Sequence, residues 1–73
     1  MTVTLYKSTT CPQCKVVKIK LERKGIPFVE VYDEDVLAKE GIKSVPTLDV
    51  DGVRITTPKK INDWINAQED TNG

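Results

Sequence analysis

The sequence predicts an α/β protein with a four-stranded mixed sheet flanked by three helices, in the order β-α-β-α-β-β-α. Segments of alternating, β-branched residues are separated by segments in which apolar residues recur at helical spacing. In the second half, Asp51-Gly52 stands between two alternating runs, which is a strong hairpin signal. A strand-helix-strand unit implies a parallel pair, whereas a hairpin is antiparallel, so the sheet should be mixed.

The first half of the chain predicts a strand, a helix and a second strand. Residues 2–6 alternate and contain β-branched and aromatic side chains, which favours a strand. From Pro12 to Lys24 the spacing is helical, and Gly25 stands where a glycine commonly ends a helix. Residues 28–32 then predict the second strand. We expect the apolar stripe of the helix to comprise Cys14, Val16, Val17, Ile19 and Leu21.

The second half predicts a short acidic helix, the hairpin and a last helix. Asp33 fits the N-cap of the short helix, which Gly41 should end. Residues 47–50 and 53–56 form the hairpin strands, and we expect Asp51-Gly52 to serve only as their turn. Thr57-Pro58 fits the start of the last helix, because proline is favoured at the first helical position. The core-facing residues of that helix should be Ile61, Trp64 and Ile65.

Composition and charge limit the classes of function. With 73 residues, the chain should form one domain over residues 1–68, followed by a flexible tail over residues 69–73. Eleven basic residues balance eleven acidic ones, which argues against nucleic-acid or membrane binding driven by net charge. The first helix is basic, which fits a solvated face, docking to an acidic partner or a raised electrostatic potential at Cys11. No membrane-length apolar run or signal-peptide pattern is evident, so we expect a cytoplasmic protein. We also expect it to be a monomer.

The motif Cys11-Pro12-Gln13-Cys14 contains the only two cysteines of the chain, between the first strand and the first helix. With Cys11 at the N-cap and Pro12 at the first helical position, the first sulfur would face the positive end of the helix dipole. A thiolate is stabilised there, and the thiolate is the nucleophile in thiol-disulfide exchange. We therefore predict a dithiol redox site in which Cys11 attacks a substrate disulfide and Cys14 resolves the mixed disulfide.

Other roles for the two cysteines remain open. A disulfide between them would close a very short loop and add little stability, so a structural role is disfavoured. Without histidine, one chain cannot assemble a four-ligand Cys/His zinc site, although two chains could hold zinc or an iron–sulfur cluster. The alternative is thus a non-catalytic interaction module or a cluster-bridged dimer. Lys7 and Lys15 either raise the potential near Cys11 or are merely solvated, and Thr10 either shapes the loop, bonds to sulfur or fills space.

Three segments together resemble glutaredoxin-like members of the thioredoxin superfamily, across nearly the whole chain. They are Val3-Thr4-Leu5-Tyr6 leading into the cysteine motif, Ser44-Val45-Pro46-Thr47 before the third strand, and Val50-Asp51-Gly52 at the hairpin. The resemblance implies a thioredoxin-like fold and a cis peptide bond before Pro46, which would face the disulfide. It also implies that the Val45 backbone pairs with an extended substrate segment, which is β-augmentation. The candidate substrate-binding residues are Thr10, Pro12, Gln13, Val45 and Pro46.

Within that superfamily, the short chain and its start, Met-Thr-Val-Thr-Leu-Tyr, are most similar to the NrdH-redoxins. Those proteins take electrons from thioredoxin reductase and pass them to ribonucleotide reductase. This chain has Arg54-Ile55-Thr56-Thr57-Pro58 where that family usually has Trp-Ser-Gly-Phe-Arg-Pro. Glutathione-using glutaredoxins usually have Tyr where Gln13 stands and Lys where Ser8 stands. Both thioredoxin reductase and glutathione therefore stay open as electron sources, and no cofactor beyond a Cys11–Cys14 disulfide is implied.

Overall fold

The computed structural model describes residues 2–68; Met1 and the predicted tail, residues 69–73, lie outside the described residues. The predicted order of strands and helices is confirmed, and the bounds of the strands and of the first helix agree to within one residue. In chain order the elements are β1 (Val3–Tyr6), α1 (Pro12–Arg23), β2 (Val29–Val31), α2 (Glu34–Lys39), β3 (Thr47–Val50), β4 (Val53–Ile55) and α3 (Pro58–Ala67).

The four strands form one mixed sheet in the order β2-β1-β3-β4. β1 pairs in parallel with β2 and antiparallel with β3, and β3 pairs antiparallel with β4. Leu5, Leu48 and Ile55 are opposite one another across three strands, so their side chains share one face of the sheet. In the parallel pair Leu5 is opposite Glu30, which places a carboxylate on that same face.

α1 and α3 cover this face and complete the core. Side chains of β1 and β3 join Val17 and Leu21 of α1 and two isoleucines of α3 in a single buried cluster. Burying each such aliphatic side chain stabilises the fold by about 1.5–3 kcal/mol. Trp64 packs against the cluster while remaining half-buried, in agreement with its predicted place on the core side of α3.

The predicted apolar stripe of α1 is wrong at two positions. Cys14, Val17 and Leu21 are buried as expected, but Val16 is 49% exposed and Ile19 is 48% exposed. Successive residues of a helix are about 100° apart, so the face that holds Val17 and Leu21 turns Val16 and Ile19 away from the sheet. The sheet therefore covers only a narrow face of α1, and Val16 and Ile19 face solvent.

Arg54 attaches α2 to the opposite face of the sheet. Its guanidinium donates to the backbone carbonyl of Glu40, lies 3.3 Å from the Glu40 carboxylate and lies 3.4 Å from that of Asp49. It also lies 5.5 Å from the centre of the Tyr6 ring. α2 contributes no buried residue, and Val36 is exposed, so these polar contacts hold the end of α2 against the sheet.

The hairpin turn has the predicted position and a further role. Asp51 and Gly52 both have positive φ, 52° and 91°, as the tight turn of a two-residue hairpin requires. The Thr2 amide donates to the Asp51 carboxylate at 2.6 Å, and the Asp51 amide donates to the Thr2 carbonyl at 2.9 Å. The predicted turn is confirmed, and Asp51 in addition holds Thr2 beside the end of β3.

Candidate functional site

Cys11 is the N-cap of α1, and Pro12 occupies the first helical turn, as the sequence predicts. The extended backbone of Cys11, with φ −94° and ψ 109°, lets its side chain fold over the helix start. Its sulfur accepts a hydrogen bond from the Cys14 amide at 3.2 Å. Cys11 is partly exposed, so this sulfur is both reachable and positioned at the positive end of the helix dipole.

Cys14 lies one turn further along and is in a different environment. Its side chain is 1% exposed, on the face of α1 that packs against the sheet. Burial raises the pKa of the Cys14 thiol to about 11, and its hydrogen bond with the Cys11 side chain adds to that increase. A backbone hydrogen bond from Ser8 and the positive charge of Lys7 oppose the increase in this pKa. Cys14 is therefore an inaccessible thiol at neutral pH, whereas Cys11 is the sulfur that a substrate can reach.

A short polar loop leads from β1 to the cysteines. The Ser8 and Thr10 hydroxyls are 3.1 Å apart, and the Thr10 amide donates to the Ser8 hydroxyl at 3.2 Å. The Cys11 amide donates to the Ser8 carbonyl at 3.4 Å. Of the roles predicted for Thr10, these contacts favour shaping of the loop. Pro12 and Gln13, beside Cys11, are exposed.

The segment around Pro46 lies at the same end of the sheet as this loop. The Val45–Pro46 bond is cis, which confirms the configuration that the family resemblance implied. Pro46 is buried and Val45 is half-buried, while the Thr47 hydroxyl donates to the Ser44 carbonyl at 2.7 Å. Thr47 is opposite Tyr6, the last residue of β1. The cysteine loop and the segment around Pro46 therefore meet at one end of the sheet. A cleft of about 200 Å³ lies between them, lined by Ser8, Thr9, Tyr32, Glu34, Leu37, Ile42, Lys43, Ser44 and Val45.

Glu30 is a member of the site region that the sequence analysis missed. Its carboxylate lies 3.1 Å from the Lys7 ammonium and 3.1 Å from the Lys18 ammonium. The hydrogen bond from Lys7, and then that from Lys18, lowers the pKa of Glu30. Lys7 also lies 5.5 Å from the centre of the Tyr32 ring. The only sign of this ion pair in the sequence is a carboxylate within an otherwise apolar strand. Its partners, Lys7 and Lys18, are distant in sequence and could not be identified from it.

The ion pair with Glu30 excludes one of the two alternatives predicted for Lys7, that of a merely solvated side chain. The Lys7 side chain is 19% exposed and ion-paired, so it is not a merely solvated lysine. The positive charge of Lys7 opposes the raised pKa of Cys14. Lys15 is exposed on α1.

Within residues 2–68, no group of three or more His, Cys, Asp or Glu side chains is arranged to hold a metal ion. In the same range, no helix is both long enough and apolar enough to cross a membrane.

A cysteine pair at a helix start, beside a cis-proline segment at one end of a four-stranded mixed sheet, defines a thioredoxin-like protein with a candidate dithiol site. The model of the glutaredoxin family matches residues 3–55, and the chain belongs to that family. One relative is an uncharacterised glutaredoxin-like 8.6 kDa protein of the rubredoxin operon in Clostridium pasteurianum. It is 35% identical over 57 residues, which cover 68% of this chain and 76% of the relative.

Solved structures of low sequence identity share the fold. A diazinon-metabolizing glutathione S-transferase of the silkworm Bombyx mori matches with a TM-score of 0.78 and 20% identity, over 100% of this chain and 41% of the transferase. A thioredoxin-like protein matches with a TM-score of 0.69 and 23% identity, over 88% of this chain and 99% of its own. The glutaredoxin of Archaeoglobus fulgidus matches with a TM-score of 0.64 and 24% identity, over 89% and 86%. The chain thus spans less than half of the transferase and most of the two smaller proteins. The predicted thioredoxin-like fold is confirmed, and family membership supports a redox function.

Proposed function

We propose that this protein is a small dithiol-disulfide oxidoreductase that reduces protein disulfides through Cys11 and Cys14. The observation that carries the proposal is the asymmetry of the two sulfurs. Cys11 is partly exposed and caps the start of α1, at the positive end of the helix dipole, whereas Cys14 is buried and its amide donates to the Cys11 sulfur. Such a pair can divide attack and resolution between its members.

The chemistry proceeds in two exchange steps. The Cys11 thiolate attacks one sulfur of the substrate disulfide, which forms a mixed disulfide and releases the other substrate sulfur as a thiolate that takes up a proton. Cys14 then loses its proton and attacks the Cys11 sulfur, forming the Cys11–Cys14 disulfide and releasing the second substrate thiol. Two electrons pass from the protein to the substrate. No cofactor beyond this reversible disulfide is needed.

The substrate would bind at the end of the sheet where the cis-proline segment and the cysteine motif lie side by side. An extended substrate segment would pair with the Val45 backbone beside Pro46, which demands little of the substrate sequence. Thr10, Pro12 and Gln13 would contact the residues around the substrate cysteine. The resemblance to NrdH-redoxins makes ribonucleotide reductase the first protein substrate to test.

A trapping experiment tests the division of roles. Without Cys14 the mixed disulfide cannot be resolved, so Cys14→Ser should accumulate a covalent adduct with a protein disulfide such as that of insulin. The adduct is measured as a gel shift that a reductant reverses. Cys11→Ser is the matched control and should form no adduct. Absence of an adduct with Cys14→Ser, or equal adducts with both variants, would contradict the proposal.

The electron source is tested by two parallel assays of insulin reduction. One supplies NADPH with thioredoxin reductase, and the other supplies NADPH with glutathione and its reductase. Acceleration in one assay identifies thioredoxin reductase or glutathione as the recharging partner. No acceleration in either, together with a visible absorbing cluster in the purified protein, would favour the cluster-bridged dimer over the oxidoreductase.

A further inference from the structure

The outer face of α1 carries an apolar stripe that begins beside the cysteine motif. Val16 is 49% exposed and Ile19 is 48% exposed, and Pro12 is exposed one turn before Val16. At about 100° per residue, these three side chains fall within about 60° of one another, on the side of α1 turned away from the buried Val17 and Leu21. The stripe is therefore left outside the core and lies open to a partner.

Positive charges border the stripe on both sides. By the same helical geometry, Lys15 borders Ile19 and Lys20 borders Val16, each about 40° away. Lys15 is exposed, and Lys20 donates to the Asn62 side chain at 2.8 Å, a neutral partner that leaves the charge of the ammonium in place. These cations favour a partner with carboxylates on either side of an apolar side chain.

The far end of the stripe leads into a shallow basic cleft between α1 and α3. Arg23 follows Ile19 by one turn and lies in line with the stripe. The cleft has a volume of about 190 Å³ and is lined by Lys20, Arg23, Lys24, Ile65 and Asn66. An apolar stripe that ends among three basic side chains fits an extended segment in which carboxylates come after an apolar residue.

The basic charges of α1 are balanced by acidic ones on the other side of the sheet. Residues 12–24 contain five basic residues and one acidic residue, whereas residues 33–40 contain four acidic residues and one basic residue. The contacts of Arg54 hold the end of α2 against the face of the sheet opposite α1. The chain is neutral as a whole but has a positive side and a negative side, so an acidic partner would be steered towards α1.

We propose that the outer face of α1 is a docking surface for disulfide substrates whose reactive cysteine is flanked by an apolar residue and by carboxylates beyond it. The residues of this docking surface are Pro12, Lys15, Val16, Ile19 and Lys20. The inference rests on the proposed function and names the class of substrate that the same site would take.

The distances along α1 fit a segment that is attached to the redox-active sulfur. At a rise of about 1.5 Å per residue, Ile19 lies about 12 Å along the helix axis from Cys11. About four residues of an extended chain span that distance. A substrate bonded to Cys11 would therefore reach the whole stripe with the few residues that flank its cysteine.

Two synthetic peptides with the same disulfide ring test the preference for carboxylates. Both carry a leucine on each side of the ring; one has a run of glutamates beyond each leucine, and the other has glutamines there. We expect the reduced protein to reduce the acidic peptide about tenfold faster at about 10 mM salt, and the preference should nearly vanish at about 0.5 M salt, which screens exposed charges. The rates are followed by chromatography, and the rates with a small dithiol correct for the intrinsic reactivity of the two rings.

Variants of α1 separate the contribution of charge from that of the apolar stripe. Lys15→Glu should lower the preference for the acidic peptide to about twofold or less at low salt. The glutamine peptide reports any change in the reactivity of Cys11, so the ratio of the two rates isolates docking. The double variant Val16→Ser/Ile19→Ser should slow both peptides by about fivefold relative to a small aromatic disulfide, which does not reach the stripe.

Two matched variants lie away from the docking surface. Lys39→Glu reverses the charge of an exposed lysine of α2, and Val53→Ser replaces an exposed valine of β4. Both should keep the preference and the peptide rates within about twofold of the wild type, because neither side chain is on α1.

The outcomes separate this inference from the proposed function. Equal rates for the two peptides at low salt, with insulin still reduced, would overturn the docking surface alone. A preference that Lys15→Glu retains, or that Lys39→Glu lowers equally, would also overturn it. A molar mass that rises with protein concentration in light scattering, and that Lys15→Glu restores to the monomer, would show that the acidic side of a second copy covers α1 instead. Failure of the wild type to reduce insulin or either peptide would overturn the proposed function itself.

Discussion

Cys14 and Cys11 are one helical turn apart, yet the fold gives their sulfurs opposite surroundings. Cys14 shares its face of α1 with Val17 and Leu21, so it is buried with them against the sheet. Cys11 precedes the first helical residue, and its extended backbone keeps the sulfur at the rim. The geometry of one turn is therefore enough to separate a partly exposed sulfur from a buried one.

The raised pKa of Cys14 predicts a specific loss of stability in alkali. A thiol that holds its proton more tightly in the folded state than in the unfolded state, about 11 against 9.0, stabilises the fold fully below pH 9. This contribution, at most about 2–3 kcal/mol, is lost as the pH rises towards 11. The free energy of unfolding, measured by urea titration in a phosphine reductant, should fall more steeply over this range in wild type than in Cys14→Ala. Parallel pH profiles for the two proteins would refute the assignment.

At the residue scale, the sequence predicted the local part of the site. The preceding strand, Pro12 and the cysteine spacing were sufficient to place Cys11 at the N-cap, because these signals lie within a few neighbouring residues. The Lys7–Glu30 pair was missed because it depends on the register of two parallel strands and their crossover. No local pattern specifies which residues of β1 and β2 become neighbours.

At the scale of helices and strands, the ends of the helices were easier to predict than the face that each helix turns towards the core. Capping signals marked the helix starts: Asp33 accepts a hydrogen bond from the Asp35 amide at 2.9 Å, and Pro58 opens α3. The direction that α1 faces was less certain, since its aliphatic residues allowed a broader stripe than the sheet covers. Val16 and Ile19 became exposed because α3 and the sheet together accept only one narrow face of the helix.

The contacts of Arg54 predict that β4 helps to position the end of α2 and the segment that follows it. It joins β4 to the end of α2, and residues 41–46 between Glu40 and β3 include the cis-proline segment. Arg54→Met should lower the free energy of unfolding by about 1–2 kcal/mol, a range kept modest because these contacts are partly exposed. It should also raise the KM for insulin while leaving unchanged the exchange rate with a small aromatic disulfide, which needs no extended peptide segment.

Arg54→Lys is the informative control for this prediction. It keeps the positive charge but loses the planar fork that reaches Glu40 and Asp49 together, so both its stability and its KM should lie between those of wild type and Arg54→Met. If Arg54→Met kept both the stability and the insulin KM of the wild type, the contact between β4 and α2 would have no part in positioning the segment around Pro46.

For the whole molecule, one small core carries most of the stability. The sequence predicted the sheet and its mixed topology, because a helical crossover and an Asp-Gly hairpin leave few alternatives. It did not reveal Arg54 as the link that holds α2, because Arg54 and its partner Glu40 are 14 residues apart and no local pattern joins them. A chain of 73 residues has a total stability of about 4–11 kcal/mol, so the loss of one core contact is a large fraction of it.

Leu48 and Val53 form a matched pair for testing this dependence on a single core. Leu48 is fully buried on β3, opposite Leu5 on one side and Ile55 on the other, whereas Val53 on β4 is 66% exposed. Leu48→Ala should lower the free energy of unfolding by about 2–5 kcal/mol, because it removes buried methyl groups and leaves a cavity between two strands and two helices. Val53→Ala should change it by no more than about 0.5 kcal/mol. Urea unfolding followed by the fluorescence of Trp64, which packs against the core, measures both variants. Similar losses in the two variants would mean that stability is distributed over the surface of the sheet, and the single cluster would not be the core that the packing indicates.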